Sequence, residues 1–152
     1  MRQDRIAALV CVFTALVTMG IAFLTRSNLP VSREVGKMVS VVIFLIGMSF
    51  FTWTTIYLRA AFQGTVAPVS DRLITTGPYR WIRHPLYQSM IIIQIGIGIS
   101  LRSLGGIISL FLLFFPIVLY RAMLEEKALY RKFHSAWSDY LQSTKLLIPF
   151  VW

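Results

Sequence analysis

Two short segments of this 152-residue chain carry the residue types that do chemistry. The first reads Asp71-Arg-Leu-Ile-Thr-Thr-Gly-Pro-Tyr-Arg-Trp-Ile-Arg-His-Pro-Leu-Tyr87 and gathers a Gly-Pro turn, aromatic rings, three arginines and a histidine. A connection that only joined two helices could be shorter and plainer. His84 ahead of Pro85 puts an imidazole at a helix start, where free backbone N–H groups and the positive helix end favour an anion such as a carboxylate. Arg80 and Arg83 add cationic donors, and Tyr79, Trp81 and Tyr87 offer flat faces on which a purine or a sulfonium cation can rest. The second segment holds Arg121 and Glu125, spaced i, i+4. Such a pair is either a helix-surface ion pair worth roughly 0.3 kcal/mol or, beside a bilayer where ionisable groups are costly, a functional pair.

The elements that must position these residues are apolar helices. Hydrophobic residues make up 57% of the chain and charged residues only 14%, with mean hydropathy +0.70. That balance is too apolar for a water-soluble domain and points to lipid as the solvent. Four apolar runs stand out: Ile6 to Leu24, Met38 to Leu58, Leu86 to Leu101 and Leu104 to Tyr120. The first two have the roughly 20 residues that a bilayer requires, whereas the last two are shorter and are joined only by Arg102 and Ser103 as a tight helical hairpin, read here as spanning. Pro116 is expected to kink the fourth helix. The expected fold is therefore an all-α, polytopic membrane helix bundle of about four transmembrane helices, forming one domain over residues 1–152.

Charge sets the orientation. With the N-terminus inside, eleven of the 15 basic residues lie on the inner side, leaving only Arg26, Arg33, Lys37 and Arg102 outside. By the positive-inside rule, both termini and the segment around His84 are expected to face the cytoplasm. The net charge of +9 follows this topology rather than forming one patch, so it argues for anionic headgroups and against nucleic acid. The segment from Arg121 to about Gln142 places Glu125, Leu129, Phe133, Trp137 and Tyr140 on one face of a single cytoplasmic amphipathic helix. The lone cysteine, Cys11, excludes a disulfide framework and a Cys-based metal site, and no metal is expected. The N-terminal run reads as a retained span rather than a cleaved leader. Taken singly, the arginines fit plain topology, and Trp81 and Tyr87 fit an aromatic belt. Their combination is harder to dismiss.

The two segments resemble the isoprenylcysteine carboxyl methyltransferase and phospholipid methyltransferase family of integral membrane enzymes. The pattern Gly-x-Tyr-x-x-x-Arg-His-Pro-x-Tyr stands here as Gly77 to Tyr87, preceded by Leu73-Ile74-Thr75. A C-terminal pattern stands as Arg121, Glu125, Glu126, Leu129, Phe133, His134, Trp137 and Tyr140, closing on Ile148-Pro149. The match covers the second half of the chain, while the first two runs match only as apolar helices. The resemblance implies an S-adenosylmethionine-dependent methyltransferase acting on a lipophilic or membrane-associated acceptor: an isoprenylcysteine-type carboxylate, a phospholipid amine or a thiol. It implies cofactor binding by Leu73, Ile74, Tyr79, His84, Pro85, Leu86, Tyr87 and Glu125, with Arg83 as a further cationic donor, and substrate contact by Arg121. Arg121 and Glu125 are the expected catalytic pair. Three departures bear on the site: Ser89 and His134 replace glycines of the pattern, and Trp137 replaces a tyrosine. A reductase of the sterol-reductase type using NADPH, or a non-catalytic membrane adaptor that binds lipid, are the rival readings.

Overall fold

The computed structural model describes residues 2–58 and 73–147, with side chains from residue 6 onward. The positions Asp71, Arg72, Ile148 and Pro149 lie outside the described residues. Helix α1 spans Arg2–Leu24 and α2 spans Arg33–Leu58. A 3-10 turn, Gly77–Arg80, precedes α3, Pro85–Ser100. Helix α4, Leu104–Ser109, runs through a π-turn, Leu110–Phe114, into α5, Phe115–Phe133, and α6 covers Ser135–Ser143. Among the described residues, three stretches are long and apolar enough to cross a membrane: Ile6–Leu24, Arg33–Leu58 and Leu104–Phe133. Helix α3 is the shorter fourth, 16 residues or roughly 24 Å long. The chain is thus a multi-pass, all-helical membrane protein.

Large apolar side chains such as Leu9, Phe13, Met38 and Leu112 point outward, where lipid chains are as good a solvent as a protein core. The inward face of α2 is lined instead by small residues. Gly36, Ser40, Gly47 and Thr54 form the buried stripe of α2, against which α3 packs along most of its length. The approach at Gly47 is so close that an added Cβ would sit 2.8 Å from the Ile93 side chain and 3.0 Å from its backbone nitrogen.

The connections α1–α2 and α3–α4 meet at one end of the bundle. Ser27 N donates to Leu101 O at 3.0 Å, Leu29 N to Arg102 O at 2.7 Å, and Leu104 N to Asn28 Oδ1 at 2.8 Å. Helix α3 therefore runs from the His84 end to this loop end.

Two expectations are refined. The fourth run does not stop near Tyr120 but continues as helix to Phe133, and Pro116 is accommodated by a π-turn ending just ahead of it. There Phe115 N bonds to Leu110 O, one residue beyond the α-helical partner, since proline can neither donate to nor pack against the usual carbonyl. The single helix expected from Arg121 to Gln142 is instead two helices. His134 has φ +44° and ψ −112°, so the chain turns there and α6 starts anew.

Candidate active site

The polar end of the bundle is built by three chain segments that local sequence brings into register. Gly77 adopts φ +62°, and a Cβ there would lie 2.8 Å from the Tyr57 ring, so the turn before α3 needs glycine for two reasons. Pro85 then opens α3 with its fixed φ, leaving His84 as the N-cap. One turn on, Tyr87 faces inward. From α5, Arg121 and Glu125 project from the same helical face.

These side chains converge. The Tyr87 hydroxyl donates to Glu125 Oε1 at 2.5 Å and accepts from Arg121 Nε at 2.5 Å, so one phenol bridges the two charges. Arg121 Nε also lies 3.4 Å from Glu125 Oε1, and His84 Nδ1 lies 3.5 Å from Glu125 Oε2. The His84 and Tyr87 rings stack with centroids 5.7 Å apart. Arg121 is only 6% exposed and His84 5%. The Arg121–Glu125 pair is therefore part of a buried network and not the surface ion pair that its spacing alone allows. Beneath it, Tyr87, Cys11, Leu110, Phe114 and Val118 form a tight apolar floor that keeps water from the network's membrane side.

Arg83 turns away from this group. Its Nε binds Glu126 Oε1 at 2.6 Å, and its Nη1 donates to Thr144 O at 2.6 Å. The C-terminal strand-like segment pairs with the same stretch: Arg83 N donates to Lys145 O at 2.8 Å, His84 N to Leu146 O at 3.1 Å, and Lys145 N to Trp81 O at 3.1 Å. Tyr140 adds a hydrogen bond to Tyr79 O at 2.6 Å. The chain end thus clamps the His84 segment onto α5. Leu73 and Ile74 are half-buried just before the 3-10 turn, and Leu86 is half-buried on α3.

Electrostatics favour a cationic His84. Burial alone disfavours the imidazolium, but Glu125 and Glu126 outweigh it and raise its pKa above the ordinary value of 6.5. Burial also pushes the Tyr79 and Tyr140 phenols well above the ordinary tyrosine range, with Glu125 adding to the shift at Tyr79, so both stay neutral donors. The second carboxylate, Glu126, is only a pattern position in the sequence, yet it binds Arg83 and lies 3.6 Å from His84 Nε2. The signal for it was the Glu-Glu doublet opposite an Arg-His doublet. The departures from the pattern are accommodated: Ser89 folds its hydroxyl onto Leu86 O at 2.6 Å within the tight α2–α3 contact, and Trp137 is buried against Tyr140. No cluster of three metal-ligating side chains occurs among the described residues.

The chain belongs to the phospholipid methyltransferase family, whose sequence pattern matches residues 35–136, from the start of α2 into α6. It is thus a membrane methyltransferase by family. It is also similar to the nickel-cobalt-cadmium resistance protein NccN of Alcaligenes xylosoxydans xylosoxydans, with 31% identity over 150 residues covering 84% of this chain and 67% of that protein.

Proposed function

We propose that the protein transfers a methyl group from S-adenosylmethionine to a lipophilic or membrane-associated acceptor: an isoprenylcysteine-type carboxylate, a phospholipid amine or a thiol. The observation that carries this reading is the Tyr87-bridged Arg121–Glu125 pair beside buried His84. S-adenosylmethionine bears a carboxylate, an ammonium and a cationic sulfonium, and when bound it supplies an electrophilic methyl group. The residues fit such a zwitterion. His84 holds a buried Nε2 whose nearest carboxylate stands at 3.6 Å, beyond hydrogen-bonding distance, leaving a donor for the ligand's carboxylate. Glu125 offers a carboxylate for the ammonium, and Tyr79 and Tyr87 supply aromatic surface. Leu73, Ile74, Pro85 and Leu86 complete the apolar walls of this reading, while Arg83 braces the segment through Glu126.

Arg121 orients an anionic acceptor at the membrane surface. For a carboxylate or thiolate acceptor the protein needs only to align the partners and exclude water. For an amine, a neutral nucleophile is required, and Glu125 is the group within reach to take the proton, since a cationic His84 has no free lone pair. The charge asymmetry of the loops supports a cytoplasmic location for this end, where a soluble cofactor is at hand. Incubating the purified protein with methyl-labelled S-adenosylmethionine and a membrane lipid extract tests the reading: label should enter the lipid phase with the wild type and stay in the aqueous phase with His84→Ala. Equal labelling by both proteins overturns it.

A further inference from the structure

Away from the ionic site, the outer face of the α2–α3 pair carries a cleft of about 1010 Å3. Its walls are Leu45, Ile46, Phe50 and Trp53 of α2 with Ile92 of α3. Leu45, Ile46 and Trp53 are themselves exposed, so the cleft opens sideways toward lipid. At the end nearer the site, the lining turns polar with Gln88, Ser143 and exposed Lys145, beside Trp81. Among the described residues, no acidic side chain lines it.

Three observations specify the occupant. From Trp53 to Leu45 the cleft descends eight residues of helix, roughly 12 Å, close to the ~15 Å half-thickness of a bilayer's hydrocarbon core. Trp53 and Trp81 meet edge-on, with centroids 6.1 Å apart, at the polar mouth, where amphipathic rings mark the headgroup level. The mouth carries a cation, Lys145, and a buried acceptor, Gln88 Oε1, that has no hydrogen-bond partner. A headgroup that is both anionic and hydroxylated satisfies the two together.

We propose that this cleft binds one acyl chain of an anionic phospholipid with a hydroxylated headgroup, held at Lys145 and Gln88. The site lies apart from the Tyr87 network and is coupled to it by backbone, since Lys145 N binds Trp81 O and Lys145 O binds Arg83 N. The lipid therefore braces the segment that carries His84. The proposal is independent of which methyl acceptor the enzyme uses.

The test uses the full chain in phosphatidylcholine vesicles with a small, fixed fraction of lipid brominated on its acyl chain, and reads quenching of tryptophan fluorescence. Brominated phosphatidylglycerol should quench about twofold more than brominated phosphatidylcholine at the same mole fraction, and Trp53→Phe should remove most of that excess. Lys145→Glu should abolish the preference. Ser49, an exposed residue of the cleft lining, offers a second variant: Ser49→Phe fills the cleft and leaves the charge intact, and should lower the excess quenching if Lys145→Glu misfolds. Equal quenching by the two lipids, or a preference that survives both Lys145→Glu and Ser49→Phe, overturns the proposal.

Discussion

The two ends of the bundle each hold an arginine, half-buried Arg102 at one and buried Arg121 at the other, and they treat it differently. At the loop end, Arg102 reaches, among the described residues, only a backbone carbonyl, Leu29 O, at 3.5 Å, and its surroundings are turns held by main-chain hydrogen bonds. At the other end, Arg121 is bound to Tyr87 and lies beside Glu125, above an apolar floor and next to His84. The first arrangement closes helices. The second holds opposite charges together in a low-dielectric setting, where removing one partner strands the other and is costly. That contrast is what the proposal of a functional site at the Tyr87 end rests on.

The comparison breaks most sharply at Glu125. Glu125→Ala removes the carboxylate shared by Tyr87, Arg121 and His84, and binding of S-adenosylmethionine in an equilibrium titration should weaken at least a hundredfold, matching about 3 kcal/mol for an uncompensated buried charge. Arg102→Ala, at the loop end, should leave that affinity unchanged. Tyr87→Phe keeps the ring and loses the bridge; methyl transfer should fall roughly tenfold to a hundredfold, in line with about 1.5–3 kcal/mol for a hydrogen bond to a charged group, while the helical circular dichroism stays constant.

His84 sharpens the contrast through pH. Its folded pKa is raised, so its pairing with Glu125 and Glu126 contributes fully below the unfolded value of 6.5 and is lost as pH rises through the folded value. The stability gap between wild type and His84→Gln should therefore be larger near about pH 6 than near about pH 9 in thermal melts. A gap that grows with pH contradicts this assignment. The smallest effect is expected at the turn between α5 and α6. His134→Gly relieves a positive φ that costs an L-residue roughly 1–2 kcal/mol, and the melting temperature should rise by about 3 °C with cofactor affinity unaltered.

Much of this architecture is legible in the residues, for identifiable reasons. Unbroken apolar runs without caps have few solutions other than membrane helices, and the Arg102-Ser103 break marked the hairpin. The side chains that converge, His84, Tyr87, Arg121 and Glu125, were all visible as chemistry-bearing types at helical spacing or at a proline-marked helix start. Other features carry no such mark. The turn at His134 follows from a backbone conformation that histidine does not advertise, although it falls where the related pattern has glycine. The clamp on Arg83 uses the carbonyl of Thr144, and a backbone carbonyl has no signature in sequence. The α2–α3 cleft depends on how closely Gly47 and Gly96 let two helices approach, a matter of packing rather than residue type.

The central claim is that the Tyr87-bridged centre binds a zwitterionic sulfonium cofactor, and calorimetric titration of S-adenosylmethionine into the intact protein in lipid nanodiscs tests it most directly. Saturable binding at one site per chain, lost in Glu125→Ala and retained in Arg102→Ala, is the result predicted here. An absence of binding to the wild type, or equal binding by the wild type and Glu125→Ala, would contradict it.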